Sequence, residues 1–344
     1  MKLPGQCAWA VMLLSSMCWA QPPANPLAKP EAKPAEVQPA VEPAKPAEVP
    51  VVKLIEAGAE PRQALRLKPA VGLAQATKLR MLMGMSMKSE DMGEFPSPPM
   101  PPIVMSYTMK AVSVSPEGDV GYDMAFTGCG IEENAESPAE MVEAMKAALA
   151  PMAGITGSGV VTTRGFNKDI QIKIPEGMNA AAGGLIDGMK QQMSQMGTPL
   201  PEEAVGAGAK WIVTSKFKSQ GLAIEQVATV ELVSVVDGVA KMKMSVEQTA
   251  PANQTIKTPD MPEGMSVQVE SLKSSGTGEF EQALAAIAPR AAESKLVTNL
   301  EMKVTQEGGK AQKMSQKVTV DVKLLPVEAA KPAADKSEEA PATK

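Results

Sequence analysis

Four methionines stand at every second position from Met81 to Met87, interleaved with Leu82, Gly84 and Ser86. Thioethers are soft ligands suited to Cu(I), and they are also adaptable fillers of apolar cores and cavities. On a strand, alternate side chains share a face but stand about 7 Å apart. Four of them therefore cannot hold one ion unaided, and Met105 and Met109 are the candidate cross-strand partners. These six methionines and Trp211 are the candidate ligand-binding residues. Three uses compete for them: packing, an apolar-ligand cavity, and a Cu(I) site. The spread of 25 methionines along the chain favours packing, so no metal is assigned and no cofactor is expected.

Chemistry that depends on titrating side chains has little to work with. The chain contains no histidine, which removes the commonest general acid/base and the commonest imidazole ligand. It has three cysteines, and two of them, Cys7 and Cys18, fall in an N-terminal apolar run. Cys129 is then the only cysteine expected in the mature chain, with no partner thiol and no imidazole to activate it. The pairs Glu132-Glu133, Glu202-Glu203 and Glu338-Glu339 are adjacent, so their members point to different sides and read as solvated surface. Ser274-Ser275-Gly276-Thr277-Gly278 is the nearest approach to a Gly-rich phosphate loop, and it lacks the lysine and the helix such a loop needs. An enzyme is not expected. The net charge of −5, without a Lys/Arg block, offers nucleic acid no electrostatic footprint. Aromatic residues make up only 3%, which argues against a surface that stacks sugars or bases.

The elements that must position these residues read mostly as strands. Apolar and polar residues alternate through Val120–Phe126, Ile170–Ile174, Trp211–Phe217, Ala240–Val246, Leu300–Val304 and Val318–Leu324. Period two with one apolar face is the mark of antiparallel sheet. Asp237-Gly238 reads as a two-residue hairpin, and Glu117-Gly118-Asp119, Gly165-Phe166-Asn167 and Gly308-Gly309 read as further turns. Ser137-Pro138-Ala139-Glu140 predicts a helix start with Ser137 as the cap. Its apolar stripe runs through Met141, Val142, Met145, Ala148, Leu149 and Met152. A second helix is expected over about 178–196, weakened by Gly183, Gly184 and Gly188. The fold class is mainly β (α+β): one large curved antiparallel sheet or half-barrel of about ten strands, with two helices packed on it.

Residues 1–20 read as a signal peptide. The run Cys7–Ala20 is apolar, too short to span a bilayer, and ends in a small residue before Gln21. Met17 stands where a lipoprotein site wants a small residue, which argues against acylation at Cys18. Residues 21–50 repeat Ala-Lys-Pro and Ala-Glu-Val-Pro units and read as a disordered, largely extended spacer. Residues 326–344 read as a tail of the same kind, which leaves 51–325 as the folded domain. The protein is expected to be exported, periplasmic or secreted, with no membrane span in the mature chain.

The stretch Leu200–Trp211, LPEEAVGAGAKW, resembles the signature of an uncharacterised family of exported bacterial proteins, a domain of unknown function. Its pattern is Val-Gly-x-Gly-Ala-x-Trp before a strand. Thr163-Arg164-Gly165, the Ser274–Gly278 segment and the closing Met-rich strands are similar too. The resemblance implies secretion and a β-rich fold, and it brings no catalytic or ligand residues. The expected function is a non-enzymatic binding or interaction module of the cell envelope. The alternatives are a carrier of a hydrophobic ligand on a Met-lined concave sheet and a Cu(I)-binding envelope protein. The expected partner is an envelope protein or an apolar small molecule.

Overall fold

Alternation of apolar and polar residues makes each strand two-faced, and a two-faced strand buries one side only by joining a sheet that curls around it. The computed structural model shows this. It describes residues 49–90, 93–96, 98–132, 137–175, 190, 193–194, 197–219, 221–256, 265–306 and 311–327. The expected signal peptide, nearly all of the spacer, most of the tail and the Gly308-Gly309 turn lie outside these residues. The strands, in chain order, are β1 Val51–Glu56, β2 Ala74–Ser89, β3 Gly93–Pro96, β4 Ile103–Val114, β5 Val120–Ile131, β6 Thr156–Val161 and β7 Asn167–Lys173. There follow β8 Lys210–Ser219, β9 Leu222–Val236, β10 Val239–Ala250, β11 Gln254–Ile256, β12 Met265–Ala283, β13 Ala291–Gln306 and β14 Gln312–Pro326. One α-helix among the described residues, α1 Ala139–Leu149, lies between β5 and β6.

All 14 strands belong to one antiparallel sheet in the order β1-β8-β9-β10-β12-β13-β14-β2-β4-β5-β6-β7, with β11 on β12 and β3 on β2. The mainly-β, curved-sheet expectation holds, with two corrections. The strand number exceeds ten, because β3 and β11 are too short to show a period and β12 runs straight through Ser274–Gly278, which reads as loop chemistry. Of the two helices, one is present among the described residues. The span 178–196 lies almost wholly outside them, although Lys190, Met193 and Ser194 have helical backbone. The helix start differs in detail as well. Pro138, not Ser137, is the boundary residue, and no side chain caps the helix. The Ser137 hydroxyl instead donates to the Pro99 carbonyl at 2.9 Å.

The sheet does not close on itself, and its two ends are β1 and β7. Its inner face nevertheless meets itself: Met109, Tyr122 and Met124 of β4 and β5 share one core with Trp211, Val230 and Met242 of β8, β9 and β10. Two connecting segments seal one end of the curl. Leu67 N–H donates to the Thr163 carbonyl and Lys68 N–H to the Leu284 carbonyl, each at 2.7 Å. This ties residues 57–73 to hairpins from both halves. Residues 197–209 run alongside, with Gln63 and Val205 exchanging hydrogen bonds of 3.0 and 2.9 Å. Leu65, Leu200, Val205 and Ala209 fill the end, each fully buried.

The outer face carries the charges, in cross-strand pairs. Lys241 opposes Glu281, Lys243 opposes Glu279, Glu293 opposes Lys323 and Lys295 opposes Asp321, with N–O distances between 2.9 and 3.8 Å. Each exposed pair contributes a few tenths of a kcal/mol to roughly 1 kcal/mol. Their larger effect is on register, because a one-residue slip would carry every charge to the inner face.

Candidate functional site: the inner face of the sheet

Strand register sorts the inner face into transverse belts, each contributed by directly opposed residues of neighbouring strands. One belt runs Trp211, Val230, Met244, Gly278, Ser294, Val322, Met81, Ile103 and Ile131. The next, one step farther from the sealed end, runs Val213, Ala228, Val246, Gly276, Leu296, Val320 and Met83. Gly276 belongs there for a steric reason: a Cβ would sit 2.7 Å from Leu296 Cδ1, so the missing side chain makes room for the leucine.

The belt after that changes character. Ser215, Gln226, Gln248, Ser274 and Thr298 stand opposite one another on β8, β9, β10, β12 and β13, and the row continues into Val318 and Met85. Five successive hydroxyl and carboxamide side chains thus cross the inner face, where the other buried polar residues, such as Ser294, Gln282 and Gln316, stand singly among apolar neighbours. Gln248 Nε2 donates to Gln226 Oε1 at 2.7 Å, the hydroxyls of Ser274 and Thr298 are 2.8 Å apart, and Gln316 Nε2 donates to Met85 Sδ at 2.9 Å. Removing one member of such a pair strands its partner at a cost of about 1–3 kcal/mol. In the next row Phe217, Ile224, Leu272 and Leu300 are buried, and the row continues through the buried Gln316 to Met87.

Burial also changes at this level. Val213, Ala228, Val246, Leu296 and Val320 are buried, whereas Gln226, Thr298, Val318 and Met85 keep partial exposure. Solvent therefore touches this row at Gln226 and again from Thr298 through Val318 to Met85, while Ser215, Gln248 and Ser274 are buried. At its β8 end, the Gly165–Asn167 turn, Pro199 and the strand residues Ser215, Gln226 and Met244 enclose a cleft of about 30 Å³.

The seven residues singled out by sequence all point inward, and the fold divides them into three groups. Met109 (4% exposed) and Trp211 (0%) share the main core. Trp211 Nε1 donates to the Pro199 carbonyl at 3.0 Å, which ties the 197–209 segment to β8. Met81, Met83 and Met105 form a second cluster beneath α1 and the turn after it, with Leu149, Met152 and Ile155. Met85 and Met87 belong to neither cluster and remain partly exposed. Four of the five belt residues escape sequence reading, and Ser274 reads only as part of a Gly-rich segment, although each carries a local signal. It is a polar side chain at an apolar phase: Ser215 between Val213 and Phe217, Gln226 between Ile224 and Ala228, Thr298 between Leu296 and Leu300.

Titrating groups near the inner face are held neutral. Cys129 opposes Met105, lies 4.0 Å from Met152 Sδ, and burial pushes its thiol up to about 11. Burial likewise raises Tyr122 to about 12, with its hydroxyl donating to Asn167 Oδ1 at 3.2 Å. Among the described residues, no three His, Cys, Asp or Glu side chains converge as a metal-ligand group. Among them too, no helix is long and apolar enough to cross a membrane. No family model matches the chain, and no curated protein matches it.

Proposed function

We propose that this chain is a non-catalytic binding module that works outside the cytoplasm and takes its guest on the inner face of the curled sheet. The observation that supports this reading is the polar belt Ser215–Gln226–Gln248–Ser274–Thr298, in which Gln226 and Thr298 keep partial solvent exposure. A sheet needing only a core would carry apolar residues there, since a buried hydrogen-bonded pair contributes little net stability and is costly when broken. Recognition needs that arrangement: a few convergent polar groups on an apolar wall. The neutral state of Cys129 and Tyr122 suits binding better than acid/base or nucleophilic work. The leader and spacer read from residues 1–50 support an extracytoplasmic site of action.

The test is native mass spectrometry of the full mature chain, purified from the envelope fraction without detergent. The expected spectrum shows a bound mass that is lost on denaturation and taken up again from an envelope extract. A chain that carries no adduct and acquires none would refute the reading.

A further inference from the structure

The belt is amphipathic along its length. From β8 to β13 it presents hydroxyls and carboxamides; from β14 to β2 it presents Val318 and Met85, near Met87 and Met314, all four partly exposed around the buried Gln316, whose Nε2 donates to Met85 Sδ. Five adjacent strands span about 19 Å at the usual strand spacing, enough for a head group and its first hydrogen bonds. The belts on either side carry no charged residue: Lys216, Glu225, Lys243, Glu247, Lys273, Lys295 and Lys317 all fall on the opposite phase, on the outer face. A charged guest would shed its hydration on this wall without a counter-ion, a cost that hydrogen bonds do not offset. An uncharged one loses little. Gln226 accepts from Gln248 through Oε1, a bond that does not engage the Gln226 amide protons or the Gln248 carbonyl oxygen.

Building on the binding-module reading, we propose that the guest is an uncharged amphiphile. Its hydroxyl or amide head exchanges hydrogen bonds with Gln226, Gln248, Ser274 and Thr298, and its hydrocarbon lies over Val318, Met85, Met87 and Met314.

Calorimetric titration of the full mature chain tests this with three probes of one chain length, each below its critical micelle concentration: 1-monolauroylglycerol, laurate and dodecyltrimethylammonium. The neutral probe binds saturably and about tenfold or more tighter than either charged one. Gln226→Leu with Gln248→Leu removes both members of the central pair together, so no amide is stranded. This double variant loses about tenfold in affinity for the neutral probe while keeping its circular dichroism and melting midpoint. Should it fail to fold, the near-isosteric Thr298→Val gives the same reading on a smaller scale. Equal binding of the three probes, unchanged affinity in the folded variants, or binding only to phosphatidylcholine vesicles would each overturn the assignment. If no probe binds and native spectra still show an adduct, the amphiphile is wrong and the binding module stands. If neither is seen, both fall.

Discussion

Cys129 is quiet because of where β5 places it. Its side chain lies among Met105, Met152 and Ile131, and burial outweighs a backbone hydrogen bond at Gly130 to raise the thiol from 9.0 to about 11. The thiolate is the reactive species, so iodoacetamide at neutral pH should label the folded chain at least about tenfold more slowly than it labels glutathione. The same shift bears on stability. A thiol whose folded pKa is raised stays protonated in the folded chain while the unfolded chain gives up its proton. Its stabilising contribution is complete below the unfolded value and is lost as pH rises through about 9 to 11. Tyr122 acts in the same direction at a slightly higher window, toward about 12. The urea midpoint should therefore fall as pH climbs through this range, and Cys129→Ala should blunt the first part of the fall.

At the scale of the element, the entry into β8 shows how a short motif becomes structure. Gly206 N–H donates to the Ala57 carbonyl at 2.9 Å and Ala59 N–H donates to the Ala207 carbonyl at 2.8 Å, so the two connecting segments run backbone against backbone. A Cβ on Gly206 would collide with the Ala59 carbonyl oxygen. Gly206→Ala should cost about 1–3 kcal/mol in chemical denaturation. The role of Gly206 in a close approach and of Trp211 as an anchor is legible in the string Val205-Gly206-Ala207-Gly208-Ala209-Lys210-Trp211, because glycines before an apolar aromatic carry a local meaning. The Asp237-Gly238 hairpin is legible for the same reason: both residues take positive φ, 49° and 72°, and Val236 faces Val239 across the turn. What segment 206–211 packs against is not legible, since Ala59 lies far away in the chain.

Across the whole molecule, the sealed end decides whether the two halves of the sheet stay together. Residues 57–73 bond to the β6–β7 turn region at Thr163 and to the residue after β12 at Leu284. Leu65 sits at the centre with no exposed surface. Arg66 beside it donates to the carbonyls of Pro201 at 3.1 Å and Glu202 at 2.7 Å. Leu65→Ala should destabilise the protein by about 2–5 kcal/mol through lost burial and the cavity left behind. Val71→Ala in the same segment, 61% exposed, should change stability by no more than about 0.5 kcal/mol. Guanidinium unfolding monitored by circular dichroism distinguishes the two.

The sequence by itself determined the two-faced strands, the short turns and the inward phase of the methionines and Trp211, because period two and turn chemistry are properties of neighbours in the chain. Only the tertiary structure decided that 14 strands join in one sheet and that Met81 and Met83 pack under α1 while Met85 and Met87 do not. It alone aligned Ser215, Gln226, Gln248, Ser274 and Thr298 into one row. Strand phase is local, whereas register joins residues tens of positions apart, and it is settled by which pairing buries the inner face and matches charges on the outer one.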